Sequence, residues 1–148
     1  MNNRPENNLD YSSAKLDQYS DNTLYEVMPE KIDDDTSTKY VLIKHDYYST
    51  DSDHGRALLQ VFLSSLSNSP FTSIVVYLID KGILLLDESN PLFDDMRLLL
   101  DKANVVIADQ NSANEYGLPV LSDPRISFQP SSAIAEDIIY LTDYLTLE

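Results

Sequence analysis

The chain has 148 residues, 43% of them hydrophobic, which suits a single domain with a real core, with or without a tail. Acidic residues outnumber basic ones 25 to 10, and the net charge of −15 disfavours nucleic acid and anionic membranes while favouring cationic partners. There is no cysteine, which excludes disulfides, thiolate nucleophiles and Cys-ligated metals.

Two histidines, His45 and His54, are too few for a convincing metal site, so neither a metal nor a cofactor is expected. Ten tyrosines and no tryptophan point to a core made mainly of Leu, Ile, Val and Phe. The longest apolar runs, such as residues 83–86, fall far short of a membrane span. Residues 1–6 carry no apolar stretch of the kind a signal peptide needs, and a cytoplasmic location is the expectation.

Residues 1–38 carry nine acids and three bases with few apolar residues, the composition of a segment that cannot offset its ordering entropy. They are read as a mostly disordered acidic segment, with one short strand or docking stretch within 23–31 and a linker over 33–38. From Lys39 the pattern alternates between strand and helix. Residues 40–44 are β-rich and run into a polar loop over 45–53. Asp53 is the expected N-cap of a helix over 54–67, whose Leu58, Leu59, Phe62, Leu63 and Leu66 recur at helical spacing. Residues 73–79 are continuously apolar, as a central parallel strand should be.

Asp80, Lys81 and Gly82 form the turn into a short apolar stretch over 83–86. Asn90 as N-cap and Pro91 at the first helical position predict a helix to about Ala103. Residues 104–108 are the third core strand, followed by a polar loop over 109–117. Ser131 and Ser132 cap a last helix carrying Ile134, Ile138 and Leu141, and residues 144–147 form a final strand. Strands separated by helices pair in parallel through crossover connections. The expected architecture is therefore a three-layer α/β domain over 39–148, with a mostly parallel sheet of four or five strands.

The order of these elements resembles a known family. Gly55, Leu58, Phe62 and Leu63 follow a family helix pattern of Gly-x-x-Leu-x-x-x-Phe-Leu. Pro70, the strand around 74–78, Lys81-Gly82-Ile83-Leu84-Leu85 and Ser89 match the next strand, turn and serine, and the strand 105–108 with Tyr116-Gly117-Leu118 completes the match. Over roughly 39–147 the chain resembles the DsrE/DsrF-like family, in the form of the C-terminal domain of YedF-type sulfurtransferase-like proteins linked to selenium metabolism. The resemblance implies a DsrE-like, Rossmann-like fold, a homo-oligomer and partners in a sulfur relay. Sulfur-carrying members place cysteines at the end of the third strand. Asp109 and Ser112 stand at those positions here, and neither side chain can form a persulfide.

Ligands gather beyond the carboxyl ends of strands in open α/β sheets. The candidate ligand-binding residues are accordingly Asp46 and Tyr47 after the first strand, Asp80 and Lys81 after the second, and Asp109, Gln110, Asn111 and Ser112 after the third. No catalytic residue is assigned. The expected role is partner or small-ligand binding without sulfur transfer; the alternative is a divergent enzyme using Asp109, Ser112 and His54 for acid–base or hydrolytic chemistry. The pairs Asp94-Asp95 and Glu136-Asp137 do not form an EF-hand loop, and both are expected in the first turns of helices. Tyr47, Tyr48, Tyr116, Tyr140 and Tyr144 are candidates for interface contacts.

Overall fold

Alternation of short β-branched runs with amphipathic segments produces a layered domain in the computed structural model, which describes residues 38–119 and 121–148. The expectations for the acidic N-terminal segment, including the strand within 23–31, lie outside the described residues. Strand β1 (Thr38–Ile43) leads to helix α1 (Asp53–Ser67), β2 (Ser73–Leu78), a 3-10 helix (Asp80–Leu86) and α2 (Phe93–Lys102). Then follow β3 (Val105–Asp109), α3 (Gln110–Glu115), β4 (Ile126–Gln129), α4 (Ser131–Tyr140) and β5 (Leu145–Leu147). The five strands form one sheet in the order β4-β3-β2-β1-β5, and every neighbouring pair is parallel.

Period-two alternation gives the sheet two different faces. Val41, Ile43, Ile74, Val76, Leu78, Val106 and Ala108 belong to the main core, with Leu59, Leu63 and Leu66 of α1, Met96, Leu99 and Leu100 of α2, and Ile83, Leu85 and Leu86 of the 3-10 helix. Leu42 and Tyr77 form a second, smaller cluster with Ile134 of α4, bordered by half-buried Tyr40, Val75, Ile79, Ile107, Ile138 and Leu141. Two helices and a 3-10 helix thus cover one face, whereas α4 covers the other. No helix among the described residues is long and apolar enough to cross a membrane.

Several local expectations change in instructive ways. Ser52, not Asp53, caps α1: its backbone is extended and its Oγ accepts from the Gly55 N–H at 3.0 Å. Asp53 instead becomes the first helical residue and pairs with Arg56. Asn90 does accept a backbone N–H, that of Leu92 at 2.8 Å, but it shapes a turn before the helix, which begins at Phe93. Ser131 is the first residue of α4 rather than its cap, because Pro130 holds that position and the Ser131 hydroxyl is drawn elsewhere. Glu136 and Asp137 consequently lie beyond the first turn of α4, while Asp94 and Asp95 do occupy the first turn of α2.

Two elements carry little sequence signal. The stretch after β3, expected to be a loop, folds into the one-and-a-half turns of α3, in which Ala113 alone is buried. Gly117, with φ of 69°, ends it: the N–H groups of Gly117 and Leu118 donate to the Asn114 and Ala113 carbonyls, closing a Schellman motif. Strand β4 is four half-buried residues whose pairing runs from Val106↔Ile126 to Asp109↔Gln129.

Candidate functional site

Because all five strands are parallel, the loops after β1, β2 and β3 leave from one edge of the sheet. Asp109, the last residue of β3, is the one buried charged residue among those described, with 6% of its surface exposed. Burial of a carboxylate requires partners, and three donors supply them. Its Oδ1 accepts the Asn111 N–H at 3.1 Å and the Ser131 hydroxyl at 2.7 Å; its Oδ2 accepts the Ser112 hydroxyl at 2.7 Å. One carboxylate thereby caps α3 and ties the start of α4 to the end of β3.

Ser112 extends the network to the neighbouring strand end. Its Oγ accepts the Asp80 N–H at 2.8 Å, and the Asp80 carboxylate accepts the Tyr116 hydroxyl at 2.7 Å. The bond to Asp80 raises the Tyr116 phenol above its ordinary range, with desolvation a smaller contribution, so the phenol stays protonated as a donor. Asp80 has φ of 49° and Ser49, in the β1–α1 loop, has φ of 73°, both left-handed conformations that are costly for residues with a Cβ. Both strained positions lie at this edge, Ser49 in the β1–α1 loop and Asp80 at the start of the 3-10 helix.

The β1 side of the edge is organised separately. Asp46 accepts the Asn90 side-chain amide at 3.0 Å. Tyr47 stacks on His45, with ring centroids 4.7 Å apart and an interplanar angle of 3°. His45 Nδ1 is buried without a hydrogen-bond partner. Lys44 forms an ion pair with Glu148, just past β5, and this bond is the main reason the Glu148 carboxyl titrates below its ordinary range. Lys81 makes no ion pair among the described residues.

Of the eight residues expected at the site, the structure therefore joins Asp80, Asp109, Asn111 and Ser112 in one network. Asp46 and Tyr47 belong to the β1 side, and Gln110 bonds along its own helix to Asn114 at 2.9 Å. His54 is exposed in the first turn of α1, and no hydrogen bond joins it to Asp109 or Ser112. The sequence reading missed Tyr116 and Ser131 as members of the network. In the sequence Tyr116 stands out as an interface candidate and as part of the resemblance, and Ser131 as a cap, since their partners are 36 and 22 positions away.

Chemically, the arrangement is a saturated hydrogen-bond knot. The Ser112 proton goes to Asp109 while its oxygen receives the Asp80 amide, and neither residue carries the thiol that sulfur transfer requires. Among the described residues, no group of three or more His, Asp or Glu is placed to hold a metal ion. A groove of about 560 Å³ lies elsewhere, between the 3-10 helix, α2 and residues 121–126, and none of the expected site residues lines it.

Fold and edge together define a three-layer, all-parallel α/β domain with a thiol-free polar network at its strand ends. Among solved structures, the ychN protein from E. coli, a DsrE-like protein, is similar in fold. The TM-score is 0.50 and the identity 14%, over 74% of this chain and 99% of that one. At that identity the likeness speaks to the fold alone. No protein-family model matches the chain, and no curated protein matches it.

Proposed function

We propose that this chain is a non-catalytic DsrE-like protein that binds a partner or small ligand at the strand-end cleft and does not move sulfur. The observation that carries the reading is the state of Asp109 and Ser112. They stand where the resemblance puts cysteines, yet their polar atoms hold the ends of β3, α3 and α4 together. On this reading the family framework survives with its reactive positions converted to structural ones. By the same resemblance the protein is a homo-oligomer whose partners belong to a sulfur relay, and the apolar pattern of its sequence supports a cytoplasmic location.

The experiment is a persulfide-transfer assay with a cysteine desulfurase and radiolabelled cysteine. No label should remain on the chain after denaturing electrophoresis, and native mass spectrometry should show self-assembly or a retained ligand. Stable labelling sinks the non-catalytic reading, and a bare monomer sinks the binding one.

A further inference from the structure

The face of the sheet covered by α4 holds a feature independent of the strand-end edge. Parallel sheets are ordinarily packed on both faces. Here Tyr40 of β1 and Tyr77 of β2 lie on that face, beside the C-terminal half of α4, and leave a shallow groove of about 490 Å³. Its lining is Tyr40, Tyr77, Glu136, Asp137, Tyr140 and Leu141: three phenol rings, two carboxylates, one leucine and no cation.

Glu136 and Asp137 are exposed, and neither forms an ion pair among the described residues. The one hydrogen bond between lining side chains, among the described residues, is long, from the Tyr77 hydroxyl to Asp137 Oδ2 at 3.5 Å. Burial, with Asp137 second, pushes the Tyr77 phenol up, so it remains protonated. Tyr140, which lines the groove, is 78% exposed, a large ring that α4 turns to solvent.

Aromatic faces attract cations through their quadrupole, and carboxylates beside them complete a site for a planar cation. Arginine suits it better than lysine, because a guanidinium stacks on rings and forks onto carboxylates. We propose that this groove docks a basic segment of a partner protein, an arginine side chain entering beside Tyr40, Tyr77 and Tyr140 and pairing with Glu136 and Asp137. Two observations favour a protein segment over a free cation: the groove is open, and the exposed Tyr140 ring gives neighbouring residues of a segment something apolar to cover. The chain's net charge of −15 steers such a partner toward it.

The test uses the full chain, isotope-labelled for NMR, titrated with the blocked peptide acetyl-Arg-Leu-Arg-Leu-amide, its lysine counterpart and free arginine amide. Shifts should concentrate on the rings of Tyr40, Tyr77 and Tyr140, and the arginine peptide should bind tighter than both comparators. Asp137→Asn and Tyr140→Ala should each weaken binding by about fivefold, while Glu115→Gln on α3 should change it by less than about twofold. Asp137 and Tyr140 are exposed, and thermal unfolding of the variants verifies that they stay folded. Equal weakening by Glu115→Gln overturns the proposal, as generic attraction to an acidic chain. Equal binding of arginine amide overturns it in favour of a small-cation site. A dimer dissolved by Tyr140→Ala in sedimentation overturns it in favour of self-association.

Discussion

Replacing Asp109 with Ala should destabilise the domain by about 2–3 kcal/mol, mostly through the loss of charged hydrogen bonds at about 1.5–3 kcal/mol each. The sum over three bonds is an overestimate, because one of the three donors keeps a second acceptor: the Ser131 hydroxyl still has Asn111 Oδ1 at 3.1 Å. Ser112 Oγ still receives the Asp80 N–H, but its own proton loses its acceptor in the protein and turns to solvent. The Asn111 N–H loses its acceptor outright, which is the removal of an N-cap at about 1 kcal/mol. Relief of the carboxylate's own desolvation offsets part of the remainder.

Asp109→Asn is the informative companion. Its Oδ1 can still accept from Asn111 and Ser131, and its amide can donate to Ser112 if that hydroxyl turns, so the cost should be only about 1 kcal/mol. Urea unfolding of the full chain, followed by circular dichroism, measures both. With a slope of about 1–3 kcal/mol/M, the Ala variant's midpoint should fall by about 1–2 M at unchanged slope. An Ala variant within about 0.5 kcal/mol of the parent, the range of ordinary surface substitutions, would refute the reasoning. So would an Asn variant less stable than the Ala one.

The glycines offer a graded set. A Cβ on Gly82 stands 2.3 Å from the Ile43 carbonyl oxygen and one on Gly55 stands 1.8 Å from that of Thr50, so the obstacle in each case is backbone. Both Ala variants should lose at least about 3 kcal/mol, whereas Gly117→Ala meets open space and should lose only about 1–2 kcal/mol from its left-handed conformation. Thermal unfolding ranks the three, and Gly117→Ala as the worst would contradict the contact geometry. A third expectation concerns acid. The Arg125 guanidinium, and then its backbone N–H, hold Asp123 at about 2, below its usual 3.8. A carboxylate lowered on folding adds stability above its unfolded value, and that stability drains away as the pH falls from about 4 to about 2. Urea midpoints at successive acidic pH values should therefore fall less steeply in Asp123→Asn, and identical slopes would count against the pair.

Periodicity and composition settled the framework before any coordinates. The apolar runs of β1, β2 and β3 and the leucine stripe of α1 each report local physics, the burial of one side of a chain segment. The absence of cysteine, too, is a fact of the sequence and removes thiol chemistry whatever the fold. Tertiary structure decided the rest, because it depended on partners distant in the chain. Strand β4 alternates over only four residues, Ile126 to Gln129, too few to stand out, and it forms because Val106 to Asp109 present an edge to it. Helix α3 is too short and polar to be stable alone, and it forms where Asp109 caps it. Sequence alone could put Asp109 and Ser112 at a strand end. Only the fold, by bringing Asp80, Tyr116 and Ser131 to the same edge, turned those two residues into a hydrogen-bonded knot.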